Sequence, residues 1–354
     1  MNTLGKNIRL TSYGESHGIT VGAILDGFPA GFEIDQSFIQ RQLDRRRPGQ
    51  SALTTTRNES DIVTLQSGVF EGKTTGAPIH FQLLNKDSNS DDYDHLKNIY
   101  RPSHADYSYA MRYGTRDHRG GGRSSARVTA GWVAGGAMVQ DFLFKNHQIN
   151  VSAYVTQIGS IHFESYDESF LRSSIDESIV RCPNADSTQK MIEAVKLAKA
   201  QKDSLGGVIK LVISGVPAGI GNPVFDKLSA SLAYAMMSIN AVKGFEIGGG
   251  FSLSSKKGSE VNDSFVNDGG DIKTKSNFSG GIQGGISNGM DIVCNVAFKP
   301  TSTIGVTQQT VDSEFQSVAL SATGRHDPCV VPRAVPIVET MAALVIGDYL
   351  INNC

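Results

Sequence analysis

Three short stretches gather the residue types that do acid–base and anion chemistry. The first, "GESHG" at 14–18, sets Ser16 and His17 between two glycines and satisfies G-x-S-x-G. That pattern is a nucleophile elbow only where a strand enters a strained turn and a helix leaves it. Here "NIRLTSY" reads as a strand and "ITVGAILDGFP" as another, so the motif is expected at a strand–turn–strand corner. Three readings of the corner stay open: Ser16 as a hydrolase nucleophile, a tight polar turn, or His17 as an acid titrating near neutral pH.

The second stretch, "RPSHADYSYAMRYGTRDHRGGGRSSAR", holds His104 and the arginines 101, 112, 116, 119, 123 and 127 against Asp106 and Asp117. Its end, "GGGRSSAR", is expected to open a long helix over about 124–146, where unpaired backbone N–H groups seat a phosphate or carboxylate. Ser124 or Ser125 as a simple N-cap is the plainer alternative. No Lys-[Ser/Thr] follows the glycines, so this is not a P-loop. The third stretch, "GRHDPCVVPRAVP", places Arg325, His326 and Asp327 just ahead of a C-terminal helix. Arg-x-Asp there is either an internal ion pair or a charged base beside a ligand-binding arginine. A further cluster, "RQLDRRRPG", carries Arg41, Arg45, Arg46 and Arg47.

Around these stretches the chain is ordinary globular material. It has 354 residues, 39% hydrophobic and 19% charged, with a net charge of −2. No general attraction to nucleic acid follows from that balance, so the arginine clusters suggest a site for a compact polyanion. No apolar run is long enough to span a membrane, and "MNTLGKNIRL" has no signal-peptide character. Cys182, Cys294, Cys329 and Cys354 lack metal-site or disulfide spacing, so reduced thiols, a cytoplasmic setting and no bound metal are expected.

Strands are expected in "NIRLTSY", "ITVGAIL", "DIVTLQ", "VSAYVTQI", "GGVIKLVISG" and "MDIVCNVAF". Helices are expected in "QSFIQRQLDRRR" after an Asp35 cap, "STQKMIEAVKLAKAQKD", "FDKLSASLAYAMMSINAV" and "VPIVETMAALVIGDYL". Strands and helices do not alternate, which favours α+β over a doubly wound parallel sheet. No boundary divides the chain, so one domain over 1–354 is expected.

The motifs together resemble the chorismate synthase family. "GESHG" with "GAILDGFPAG", "QLDRRRPG", the 101–127 stretch, "MSINAVKGFEIG", "GGIQGGISNG", "KPTSTI" and "RHDPCVVPRAVPIVE" follow the family's order. The resemblance implies a β-α-β sandwich of antiparallel sheets around helices, and a homotetramer. It also implies an enzyme, a lyase acting at the last step of the shikimate pathway. That step is anti 1,4-elimination of phosphate from 5-enolpyruvylshikimate 3-phosphate, giving chorismate. It needs reduced FMN without net redox change; the sequence shows no added nicotinamide domain, so an external reductant, with NADPH as the indirect electron source, is expected.

By position, the resemblance gives His17 the role of protonating the departing phosphate and puts His104 beside the flavin. Asp327 would accept a proton through flavin N5, with Ser16 or Ser125 relaying. Arg46, Arg101, Arg127 and Arg325 would hold substrate anions. Arg123, Ser124, Ser125, Asn240, Ala241, Gly284, Lys299, Pro300, Thr301, Ser302, Thr303 and Arg325 would contact flavin. Two departures stand out: Ser103 replaces a glycine before His104, and "QSALTTT" has no basic residue before Arg57. The rival readings are a non-catalytic protein binding RNA or another polyanion through the Arg/Gly stretch, and a serine hydrolase.

Overall fold

Two five-stranded antiparallel sheets enclose a layer of helices in this computed structural model, which describes residues 1–51, 53–54, 59–86, 96–163, 172–321 and 327–351. The first sheet comprises β1 (Thr3–Leu4), β2 (Arg9–Gly14), β3 (Thr20–Asp26), β4 (Val63–Ser67) and β5 (Ile79–Leu84), in the order β1-β2-β3-β5-β4. The second comprises β6 (Asn150–Ile158), β7 (Ile161–His162), β8 (Gly207–Ser214), β9 (Val242–Ile247) and β10 (Ile292–Phe298), in the order β9-β10-β8-β6-β7. The helices used below are α1 (Gln36–Arg46), α2 (Asp106–Tyr113), α3 (Thr129–His147), α4 (Ala185–Ala200), α5 (Leu228–Met237) and α6 (Val331–Leu350).

Helix α3 packs on β2, β3 and β5 of the first sheet, and α6 packs on β6 and β8 of the second. The two helices also pack on each other, so the order of layers is sheet, helices, sheet. Small residues make that possible. A Cβ at Gly131 would lie 2.4 Å from the Gly22 carbonyl, and one at Gly136 would lie 2.7 Å from the Thr340 carbonyl oxygen. With hydrogen at both positions, α3 touches strand backbone on one side and helix backbone on the other. One apolar cluster consequently runs from Ile8 to Leu350.

The expected strands and helices all occur, and so does the strand–turn–strand corner, since β2 ends at Gly14 and pairs antiparallel with β3. Asp35 caps α1 by accepting from the Phe38 N–H at 2.8 Å. Helix α6 tolerates Pro336 because the carbonyl it orphans, that of Pro332, accepts from the Arg181 guanidinium instead. One expectation is corrected. The long helix begins at Thr129, after two 3₁₀ turns at Gly122–Ser124 and Ala126–Val128, so Ser124 and Ser125 do not sit at its N-terminus. Ser125 caps only the second of those turns, accepting from the Arg127 N–H at 3.2 Å.

Candidate active site

A cavity of about 420 Å³ opens where the 101–105 turn, the 121–126 segment, the end of α5, the 299–303 strip and the start of α6 meet. Ligand sites of this size are common for small organic molecules. Of the expected site residues, Arg46, Arg101, His104, Ser124, Ser125, Asn240, Ala241, Lys299, Pro300, Thr301, Ser302, Thr303 and Asp327 line it. Ile239, Phe298, Val330, Ala334 and Ile337 supply apolar wall.

His104 is held at both ring nitrogens. Its Nδ1 lies 2.9 Å from the Pro102 carbonyl oxygen, which can only accept, so Nδ1 carries the proton. Nε2 then accepts from the Thr303 hydroxyl at 2.9 Å. Burial depresses the His104 pKa, and the nearby Arg101 charge adds to the shift, so the ring is neutral at neutral pH. The preceding Ser103 has φ of 56°, the left-handed region, and its carbonyl accepts from the Ser302 hydroxyl at 3.1 Å. Lys299 reaches the same carbonyl at 3.4 Å and bonds Ser302 Oγ. Burial and the charge of Lys243 lower its pKa.

The arginines divide by partner. Arg46 donates to Thr129 Oγ1 at 3.1 Å, to Asp61 at 3.0 Å and to the Ala126 carbonyl at 2.5 Å. Burial pushes it down to about 9, with Asp61 opposing, which still leaves it charged at neutral pH. Arg127 bonds the same Asp61, together with Asn85 Oδ1 at 2.8 Å. It is not among the residues lining the cavity; it stands behind Arg46 and braces Asp61. Burial raises the Asp61 pKa, but Arg46 and Arg127 outweigh it and hold the carboxyl below its usual range. Arg101 grips Asp106 through Nε at 2.7 Å and Nη2 at 2.8 Å, and Asp106 also meets Arg116 at 3.0 Å. In the cluster at 41–47 the other three arginines turn elsewhere: Arg41 to Asp35, Arg45 to buried Glu339 and Arg47 to Asp44.

Asp327 meets Arg333, a residue that motif reasoning passed over. Arg333 also donates from Nε to the Arg46 carbonyl at 3.1 Å, satisfying a carbonyl at the C-terminal end of α1. The Asp327 carbonyl accepts from Thr301 Oγ1 at 2.9 Å, tying the 299–303 strip to the same point. Asp61 was missed too. No local motif marks it, since its partners lie 15 and 66 residues away.

Ser16 and His17 stand beyond the 120–125 segment. The His17 ring rests on Gly120, whose carbonyl lies 3.5 Å from Arg101 Nη2. Neither residue lines the cavity described above or the larger one, of about 1030 Å³, on the other side of that segment. Ser16 Oγ is buried and bonds no base among the described residues, and β3 follows it in place of a helix, so the nucleophile-elbow arrangement is not formed. Arg123 lines the larger cavity and donates to the Gly14 and Ser12 carbonyls at 2.7 and 3.1 Å. Arg123 and Arg127 are thus engaged inside the fold.

Gly284 is not among the residues of this chain that line the cavity. Its hairpin, Ile282–Gln283 with Ile286–Ser287, docks at the start of α5, where Leu228 N–H donates to the Gly285 carbonyl at 2.9 Å. Asn240 follows the other end of α5. Arg325, His326, Arg57, Ala52 and Cys354 lie outside the described residues. Among the described residues no His/Cys/Asp/Glu group could hold a metal, and no helix is long and apolar enough to cross a membrane.

The chorismate synthase family model matches residues 8–351. The chain is 53% identical to a chorismate synthase of Phocaeicola vulgatus over 98% of its own length and 97% of that protein's. It is 53% identical to one of Azobacteroides pseudotrichonymphae over the full length of both, and 52% identical to one of Gloeothece citriformis over 99% and 98%. A crystal structure of chorismate synthase superposes with a TM-score of 0.79 at 31% identity, covering 99% of this chain and 93% of the other. The order of motifs, the sheet–helix–sheet architecture and these matches agree: the chain belongs to the chorismate synthase family.

Proposed function

We propose that this enzyme eliminates phosphate from 5-enolpyruvylshikimate 3-phosphate to give chorismate, using reduced FMN without net redox change. The observation that carries the reading is one cavity uniting Arg46, Arg101, Arg333 and Lys299 with the neutral His104 and the carboxylate of Asp327. A substrate with two carboxylates and a phosphate needs such a set of cations, and a proton leaving ring carbon needs an acceptor.

The residues present fit a flavin. Asn240 offers a buried Oδ1 with no hydrogen-bond partner among the described residues, suited to a ring N–H. Its Nδ2 is fixed by donating to the Ser124 carbonyl at 2.7 Å. Ile239, Phe298 and Ile337 suit a ring face, and Lys299 with the 301–303 hydroxyls suits a phosphate tail. When bound, reduced FMN supplies electron density that helps phosphate depart and recovers it as the C6 hydrogen leaves. His104 keeps a neutral imidazole in the cavity, with its proton on Nδ1. Asp327 is the proton acceptor in this reading, and Arg333 holds its carboxylate while the cavity is empty of substrate. In this reading His17 donates a proton to the departing phosphate, from a ring that stands behind Gly120, next to Arg101, and outside the cavity lining.

The reading includes a single domain, supported by the continuous apolar cluster. It also includes a homotetramer, a cytoplasmic setting and an external flavin reductant with NADPH behind it. The test is anaerobic phosphate release from 5-enolpyruvylshikimate 3-phosphate with chemically reduced and with oxidised FMN. Release only with the reduced cofactor is expected. Absence of release from folded, flavin-bound protein would sink the reading.

A further inference from the structure

Arg46, Arg101 and Arg333 all line the cavity, yet their guanidinium groups are committed to different degrees. Nε, Nη1 and Nη2 of Arg46 are each bonded within the protein. Arg101 spends Nε and Nη2 on Asp106. Arg333 donates from Nε to the Arg46 carbonyl and from Nη1 to Asp327, and its Nη2 has no partner among the described residues. The carboxylates differ in the same order. Asp61 is shared by Arg46 and Arg127 with its side chain fully enclosed, and Asp106 is shared by Arg101 and Arg116. Among the described residues Arg333 has Asp327 as its one carboxylate, and this pair keeps 15% and 9% side-chain exposure.

We infer that Arg333 is an anion-holding residue of the cavity: an incoming oxyanion takes the Nη1/Nη2 fork of Arg333 in exchange for Asp327. A guanidinium edge binds a carboxylate or phosphate through two parallel N–H bonds, and Arg333 can present that edge once Nη1 leaves Asp327. Its Nε bond to the Arg46 carbonyl holds the plane of the group meanwhile. The exchange adds an anion while Asp327 stays in the cavity, so the charges of Arg46 and Arg101 in the same lining offset the carboxylate that Arg333 gives up. The like charges of Arg333 and Arg46 already act on each other, so an anion between them relieves a standing repulsion.

This deepens the proposed activity and rests on it only for the choice of a shikimate phosphate as ligand. The test is calorimetric titration of the full chain with inorganic phosphate, shikimate and shikimate 3-phosphate. Arg333→Met is expected to weaken shikimate 3-phosphate binding by at least about tenfold, the range for a lost charged hydrogen bond, with Arg333→Lys weakened less. Comparison of phosphate with shikimate shows which oxyanion uses the fork. Asp327→Asn is expected to tighten binding several-fold, by removing the competitor, and to have no effect in the Arg333→Met background. Wild-type binding by Arg333→Met, tightening by Asp327→Asn that persists without Arg333, or no binding by wild type would each overturn the inference. Should Arg333→Met fail to fold, Asp327→Asn and Arg333→Lys decide it, and absence of tightening in the former overturns it. Turnover is measured separately. A wild type that binds as expected without turnover would sink the proposed activity alone, and a wild type that turns over beside an unaffected Arg333→Met would sink this inference alone.

Discussion

The His17 ring lies directly against the Cα of Gly120. A Cβ at position 120 would stand 2.5 Å from His17 Cδ2 and 2.7 Å from Nε2, so only hydrogen fits there. Gly120→Ala must therefore displace the ring. It is expected to lower turnover in the direction of His17→Ala, which should cost about 10²–10⁴-fold as loss of a general acid. Steady-state phosphate release by both variants, beside their circular dichroism, checks this. An active Gly120→Ala enzyme would mean that the ring position does not matter to the reaction.

Asp327→Asn is expected to retain flavin and shikimate 3-phosphate while turnover falls about 10²–10⁴-fold, as for a lost proton acceptor. Single-turnover phosphate release together with equilibrium binding separates the two effects. Normal turnover would remove Asp327 from the chemistry.

Ser103 holds a left-handed backbone at φ 56°. That conformation costs a non-glycine residue about 1–2 kcal/mol, partly offset in a glycine variant by the greater freedom of its unfolded chain. Ser103→Gly is thus expected to raise stability by about 0.5–1 kcal/mol, read as a higher urea midpoint. A lower midpoint would mean that the serine side chain contributes more than its backbone strain removes.

Removing Asp61 leaves Arg46 and Arg127 buried without their shared carboxylate. Breaking a buried pair in this way costs about 3–5 kcal/mol, so Asp61→Ala is expected to fold weakly or not at all. The sign with pH is fixed as well. Because the Asp61 carboxyl is held low, its contribution is complete above the ordinary carboxylate pKa of about 4 and is lost as pH falls through the folded-state value. Denaturation of wild type and variant across that range checks both statements.

His104 gives the opposite kind of window. Its folded pKa is depressed, so the unfolded chain binds the proton more readily. Stability is unaffected above the ordinary histidine value of about 6.5 and falls as pH drops from there through the folded value. The slope of the denaturation midpoint just below about pH 6.5 should flatten in His104→Gln. An unchanged slope would show that another group titrates there.

The division between sequence and structure follows from the range of the forces involved. Local chemistry marked β2, β3, β6, β8 and β10 by their β-branched runs, and α1 by the Asp35 cap and the Pro48-Gly49 stop. It also marked the GESHG corner, where a second strand follows in place of a helix. The sequence by itself thus determined the element types, the α+β class and, through seven ordered motifs, the family.

Which side of the fold each charge faces was beyond local pattern. Four arginines at 41–47 read as one cluster, yet Arg46 alone among them lines the cavity, because helical rotation sends its neighbours to other carboxylates. Asp61, the carboxylate between Arg46 and Arg127, and Arg333, the partner of Asp327, carry no motif of their own. Only the tertiary structure decided their roles, because a buried charge is held by whichever opposite charge the packed layers bring within reach, and sequence separation does not limit that choice.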